Sequence, residues 1–410
     1  MTPVASACSD LLEGYTVIDF TRVLAGPYCT RLLADLGARV IKIERPGEGD
    51  EIRYTAFQLD ADRADQSSYF ARLNTGKQGI AVNLAQAEAR ELVFDLVRNA
   101  DVVVENFSPG VMARYGLDAG ALRAQFPELV YCSISGFGQT GPLSSMQAYA
   151  HLINAISGLM DLDRGGEPQP RVSYLQAADV LAGTHAFGAI CAALLRRARS
   201  GGGATLDISM LECLIAADDI TYGALLNGGP VERQPRIGMM VHAFGERHIA
   251  LQTAGAPHLW SRLVALVGKP ELASDPRFAT PQARRSNWSA LQRVYREWLN
   301  QYQNADEAIE ALSAARVPVV PMLSPEEVVV HPQLTSREAF PQVPHGGCGS
   351  VRVTATPFFV DGKPTHPRAG APYLIGEHTR DVLVDLLGYS SAKIDALQKL
   401  GVIEMPERLQ

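Results

Sequence analysis

Residues Tyr15–Glu44 read YTVIDFTRVLAGPYCTRLLADLGARVIKIE. The opening YTVIDF is a nearly continuous apolar run rather than an alternating one, which suits a strand buried on both faces. Gly26-Pro27 punctuates the chain, Tyr28–Leu36 reads as a helix ended by Gly37, and Arg39–Glu44 (RVIKIE) is a second strand. Working outward, Gly79–Leu84 is a short strand, Ala87–Arg98 an amphipathic helix and Asp101–Glu105 (DVVVE) a strand. Pro109–Tyr115 and Ala119–Phe126 are helical, and Leu129–Ser135 (LVYCSIS) closes the series. Apolar strands separated by helices predict an α/β fold with a doubly wound parallel sheet, whose ligands bind beyond the carboxyl ends of the strands.

This Rossmann-like part is followed by a long helical stretch, Ala148–Ala198, interrupted by the turn-rich Arg164–Pro170. Ser200-Gly201-Gly202-Gly203 is a turn into the strand Ala204–Ser209; it lacks the lysine and the following helix of a phosphate loop. Gly, Pro and Arg gather at Asn227–Arg236, which marks a domain boundary. Beyond it, strand-like Gly245–Thr253 and Val317–Met322 and helical His258–Val267, Ala290–Gln301 and Ala305–Ala315 predict a smaller α+β domain. Glu326–Pro332 begins a second linker, and Gly376–Ile403 holds two helices starting near Thr379 and Ser391. The predicted organisation is 1–225 for the first part of the large domain, 226–330 for the small domain, and 331–410 for a return to the large one.

A chain of 410 residues, 47% hydrophobic and 20% charged, has the material for a large core. The net charge of −7 leaves no basic footprint for nucleic acid but permits a local basic pocket. Met1–Glu13 has neither a basic start nor a long apolar run, and no stretch approaches about 18 uninterrupted apolar residues. The expectation is a cytoplasmic protein without membrane segments. Six scattered cysteines with no CxxC pair read as reduced thiols, not as a disulfide framework or a zinc site.

Four clusters bear chemistry. Thr21–Pro27 joins a strand to a helix, whose first amides suit an anion. Ile41–Asp50 sets Arg45 at the carboxyl end of a strand, and Lys77 adds a turn cation. Val104–Gly110 carries Asn106 and Phe107, an amide and a ring suited to a purine, with Arg114 a turn beyond for phosphate. Asp179 begins an almost wholly apolar helix. The plain readings are an ordinary turn, a surface ion pair of Arg45 with Glu44 or Glu48, a solvated lysine, a helix entry at Pro109, and an N-cap at Asp179.

Together the clusters resemble the class III CoA-transferase family (formyl-CoA transferase, or CaiB-BaiF, type). The resemblance runs from LLEGYTVIDFTRVLAGPYCTRLLADLGARVIKIERPGEGDEIR through LNTGKQGIAVNL, DVVVENFSPGVMARYGL and YCSISGFGQTGP. It continues with AISGLM, AADVLAGTHAFGAICAALLRR and GATLDISMLE, and ends with YLIGEHTRDVLVDLLGYSSAKIDALQKLGVI. It implies Asp179 as the nucleophile. It also implies a coenzyme A site formed by Val23, Ala25, Arg45, Lys77, Asn106, Phe107 and Arg114. Backbone amides of Gly136–Gly138, with Gln139, are candidate oxyanion donors. An aspartate is ionised near neutral pH without a partner base, so a nucleophilic carboxylate needs positioning more than activation.

By this resemblance the acyl-CoA thioester is a substrate, no cofactor is tightly bound, no metal is needed, and a small carboxylic acid is the second substrate. The chain is expected to form an interlocked homodimer. Arg22, Leu24 and Ser135 stand where formyl-CoA transferases carry His, Gln and Lys, which argues against a strict formyl-CoA:oxalate enzyme. The alternative is an α-methylacyl-CoA racemase-like enzyme; there Tyr149 aligns with the racemase histidine and His151 lies two residues off, on another side of a helix. A non-enzymatic partner subunit is a third reading, opposed by the presence of Asp179. The segment Arg236–Gly245 reads as a short loop over the substrate, and His242 as a structural histidine.

Overall fold

In the computed structural model the described residues are 10–164, 168–218, 221–231, 238–253 and 257–406. Parts of the N-terminus and of the Arg164–Pro170, Asn227–Arg236 and Arg236–Gly245 segments therefore lie outside them. The chain divides into two compact units. One comprises Met1–Asp161, Arg171–Pro230 and Pro332–Gln410; the other comprises Leu162–Pro170 and Val231–His331.

The large unit is built on a seven-stranded sheet. Its strands are β1 (Thr16–Asp19), β2 (Arg39–Glu44), β3 (Gln78–Val82), β4 (Val102–Glu105), β5 (Val130–Ser135) and β6 (Ala204–Ser209). They run parallel in the order 3-2-1-4-5-6, the doubly wound order. Alternate residues of one strand feed two separate cores. Val17, Val102 and Val104 face one, and Ile18, Phe20 and Val103 the other. That two-sided burial is why the strands read as continuous apolar runs.

The intervening helices are α1 (Ala25–Asp35), α2 (Ser68–Asn74), α3 (Ala87–Arg98), α4 (Val111–Arg114), α5 (Ala119–Gln125), α6 (Ala150–Ile156), α7 (Leu159–Asp163) and α8 (Ala177–Ser200). The expected Ala148–Ala198 stretch is thus three helices. α1 begins at Ala25, before the expected start, because a proline in the first turn sacrifices no intrahelical hydrogen bond. Among the described residues α8 alone is long and apolar enough to cross a membrane by length and composition; here it packs on α1, β5 and β6.

In the small unit β7 (Met239–Phe244), β8 (Arg247–Gln252) and β9 (Val319–Pro321) form an antiparallel sheet. Residues expected as a loop over the substrate are therefore mostly strand, and Gly245, at φ +63°, makes the turn between β7 and β8. The helices Pro257–Val267, Trp288–Leu299 and Ala305–Ala314 enclose a core of Leu263, Phe278, Leu299 and Leu312. His242 lies buried in β7, edge-on to Phe244 at 4.8 Å. Back in the large unit, two hairpins, β10–β11 (Gln342–His345, Gly349–Arg352) and β12–β13 (Phe359–Val360, Lys363–Pro364), precede β14 (Ile403–Glu404). β14 pairs antiparallel with β3, so the edge of the otherwise parallel sheet departs from the expectation.

Candidate active site

Neighbouring strands β1 and β4 lie where the strand order reverses, and their carboxyl ends frame the crevice in which doubly wound sheets bind ligands. Two cavities of about 500 Å³ each open there and share Arg22, Phe107 and Ser108 in their walls. The loop between β1 and α1 separates them, and its backbone is held at each successive group. Thr21 N–H donates to Asp19 Oδ1 (2.9 Å), and Lys42 Nζ donates to the Thr21 carbonyl (2.8 Å). The Asn106 amide takes both ends of Arg22: Oδ1 accepts its N–H and Nδ2 donates to its carbonyl, each at 2.8 Å. Val23 N–H donates to both Asp50 oxygens at 3.2 and 3.3 Å. Val23 itself has φ +66°. For a β-branched residue this left-handed conformation costs about 1–2 kcal/mol and persists only where the surroundings over-determine it.

The strained loop delivers α1 to Asp179. Asp179 is the third residue of α8, whose N-cap position is Gln176, so it is not the cap that its position suggested. Gly183, one turn further along the same face, explains the close approach: a side chain there would stand 2.5 Å from the Ala25 carbonyl oxygen. Gly26 is likewise required, since a Cβ would fall 2.3 Å from Thr21 Cβ. Asp179 and Ala25 line one cavity, so the carboxylate faces the start of α1, whose N-terminal dipole favours an anion. Burial pushes the Asp179 carboxyl up to about 6, against the pull of the Ala25 N–H and its own N–H. Above pH 7 it is still mostly ionised.

Under the loop sits a buried array of charges. Burial favours a neutral Asp19, but Lys77, Lys42 and the Thr21 and Thr30 hydroxyls outweigh it and hold the carboxyl below its usual range. Burial draws the Lys77 ammonium down to about 8 despite Asp19 at 3.1 Å. Glu105, at the end of β4, accepts the Phe107 N–H at 2.9 Å, and burial raises it to about 7.

The sequence-predicted residues separate accordingly. Val23, Ala25, Asn106, Phe107 and Asp179 line one cavity, and Arg45 and Phe107 line the other. Lys77 lines neither. Far from being solvated, its ammonium is wholly buried on Asp19, Asn74 Oδ1 and the Pro27 carbonyl. Arg114 is exposed on α4 and also lines neither, whereas Val111 and Tyr115 of the same segment do. Arg45 is exposed and paired with Glu48 at 2.9 Å. Gly138 and Gln139 do not reach the cavity; the Gln139 N–H donates to Asp207 at 3.0 Å, and the wall is Ser135-Gly136. The Asn106 amide clamps Arg22, which engages both of its polar atoms.

His151 lines the same cavity as Asp179, contrary to the helical-wheel expectation. α6 starts only at Ala150, so Tyr149 and His151 sit at its very beginning, where helical periodicity does not yet separate them. Sequence reasoning missed Arg22, Lys42, Asp50, Tyr69 and Gln176. Tyr69 OH donates to Gln176 Oε1 at 3.0 Å, beside the nucleophile candidate. Lys42 and Asp50 carried a legible signal as charges in and just after an apolar strand. Among the described residues no group of three or more His, Cys, Asp or Glu is placed to hold a metal ion.

Fold and cavity define a doubly wound α/β protein with a half-buried carboxylate at its topological switch point. Its sequence matches CoA-transferase family III over residues 12–379. It is 37% identical over 373 residues to an acetyl-CoA:oxalate CoA-transferase of Acetobacter aceti, covering 88% of this chain and 92% of that protein. It is 33% identical over 385 residues to a succinate–glutarate CoA-transferase of Agrobacterium fabrum, with 92% and 95% covered. The crystal structure of a CaiB/BaiF family protein from Brucella suis superposes with a TM-score of 0.76 at 32% identity, covering 92% of this chain and 99% of that one. The chain belongs to CoA-transferase family III and is an enzyme of that family.

Proposed function

We propose that this enzyme moves coenzyme A from an acyl-CoA to a small dicarboxylate, with Asp179 as the covalent nucleophile. The observation that carries the reading is the Asp179 carboxylate, facing the start of α1 inside a cavity at the sheet's switch point. The carboxylate attacks the thioester carbonyl, the C–S bond breaks, and a mixed anhydride and CoA thiolate result. The thiolate attacks the aspartyl carbonyl, releasing the donor acid and leaving an aspartyl-CoA thioester. The acceptor carboxylate attacks that thioester, releasing thiolate again. The thiolate then takes the acceptor's acyl group and frees Asp179. No step needs a protein base, which suits a cavity whose acid is ionised at neutral pH. Phe107 and Arg45, with Arg22 at the junction, form the nucleotide side of the proposed site; Lys77 and Arg114 are left out of it. Dicarboxylates stand in the names of the relatives above, and Arg22 and His151 are basic groups lining the cavity with Asp179 that would receive a second carboxylate.

We keep the division of the chain at 1–225, 226–330 and 331–410, the interlocked homodimer and the cytoplasmic location as parts of this proposal. The test is incubation with acetyl-CoA or succinyl-CoA followed by hydroxylamine or borohydride and peptide mass analysis. A modified Asp179 is expected. The racemase reading draws on His151 lying in the same cavity. It predicts exchange of the substrate α-proton with solvent and no adduct, and that result would sink the transferase mechanism.

A further inference from the structure

We propose that the buried pair Lys42–Asp50 is a positioning device for the nucleophile. By gripping the loop on both sides of Arg22, it holds Val23 in its left-handed turn and sets the start of α1 at Ala25 against α8, in the wall of the cavity that holds Asp179. This inference rests on the reading of Asp179 as nucleophile. Lys42 and Asp50 are almost wholly inaccessible, and their charged atoms lie 3.0 Å apart. A pair that merely neutralised itself would spend its remaining valences anywhere. Here they converge on one loop: Lys42 Nζ donates to the Thr21 carbonyl, and both Asp50 oxygens accept the Val23 N–H. Asp50 is anchored in turn. Its N–H donates to Glu44 Oε1 at 3.0 Å, and the Glu44 carboxylate is bound by Arg53 through two contacts of 2.8 Å. Asp50 Oδ1 also accepts the Ile52 N–H at 3.3 Å, opening the 3₁₀ turn Glu51–Tyr54.

A connected path thus runs from Arg53 through Glu44 and Asp50 to Val23, two residues before Ala25, where α1 starts in the wall of the Asp179 cavity. Left-handed valine is the mark of a backbone held against its preference. Such an arrangement matters for rate because an error of about 1 Å in a reacting group costs on the order of 100-fold. Both residues act through the loop and do not touch the reacting atoms.

The test compares Asp50→Asn with the wild type. Asparagine keeps an acceptor for Val23 but loses the charge that holds Lys42. CoA binding is measured by calorimetry and used to count folded sites. Rates are taken with acetyl-CoA plus oxalate and with succinyl-CoA plus glutarate, whichever pair is turned over faster, from pH 5 to 8.5. Expected is kcat per CoA-binding site down about 10- to 100-fold, a loss larger than any change in CoA affinity or in KM for acyl-CoA, which are read separately because Lys42 and Asp50 also line the nucleotide-side cavity. The acid limb of the kcat profile is expected to move to higher pH, because a displaced α1 start no longer turns its positive end toward the carboxylate. A pair with only a structural role lowers the melting temperature and leaves kcat per site and the acid limb unchanged; that result overturns the proposal.

If Asp50→Asn does not fold, Lys42→Met with Asp50→Val replaces the pair together, an exchange that buried pairs often tolerate. At least a tenfold loss of kcat with CoA binding intact is expected, and wild-type kcat refutes. Asp179→Asn serves as the control. If it retains transfer, the nucleophile reading fails and this inference with it. If it is dead while the pair variants behave as wild type, only this inference fails.

Discussion

Replacing Asp179 by Asn should stabilise the protein while abolishing CoA transfer. Burial raises the Asp179 carboxyl from its ordinary 3.8 to about 6. At about 1.4 kcal/mol per pH unit, the ionised form is at most about 3 kcal/mol less favourable in the fold than in the unfolded chain. A carboxyl whose pKa rises on folding binds its proton more tightly in the native state. The cost is therefore absent below pH 3.8, grows as pH climbs through about 6, and is complete above it. Asparagine matches the carboxylate in size and carries no charge at any pH. Denaturant melts at pH 7.5 should show Asp179→Asn more stable by up to about 3 kcal/mol, with the gap closing towards pH 4. An Asn variant no more stable than wild type at pH 7.5, or a gap that does not change with pH, would refute the assignment of burial as the cause of the raised pKa.

The same carboxyl sets the acid side of turnover: kcat/KM should fall about tenfold for each pH unit below about 6, read from a rate profile between pH 4.5 and 8. Phe107→Ala should raise KM for acyl-CoA by roughly 5- to 100-fold, the worth of one base–aromatic stack, with kcat nearly unchanged. Arg45→Ala should raise the same KM modestly and flatten its dependence on salt, because Arg45 is exposed and screened. Val23→Gly removes the left-handed strain but adds chain entropy, so stability should stay within about 1 kcal/mol of wild type; a larger loss in a denaturant melt would mean that the valine side chain, not its backbone, matters. Ile18→Ala, wholly buried in the central strand, should cost about 2–5 kcal/mol in the same assay.

Much of this protein is legible in order along the chain. YTVIDF, RVIKIE and DVVVE announce buried parallel strands because both faces of their sheet are covered, and two-sided burial leaves no room for polar alternation. Ligand binding beyond the carboxyl ends of the strands followed from the strand–helix alternation, while the strand order that puts the crevice at β1 and β4 is tertiary; Asp179, Phe107 and Asn106 were singled out from motif and resemblance. Tertiary structure decided what each residue does there. Lys77 looked solvated and is buried, since Asp19 and the Pro27 carbonyl, from distant parts of the chain, join the neighbouring Asn74 Oδ1 around its ammonium. Asn106 looked free to read a base and instead clamps Arg22, 84 residues away. Gln139 gives its amide to Asp207, and the start of α6 swings His151 into the Asp179 cavity. Local sequence specifies which backbone a segment prefers, and chain-wide pattern specifies the sheet. Hydrogen-bond partners, desolvation and the left-handed turn at Val23 arise only when distant segments meet, because each is a property of the space between them.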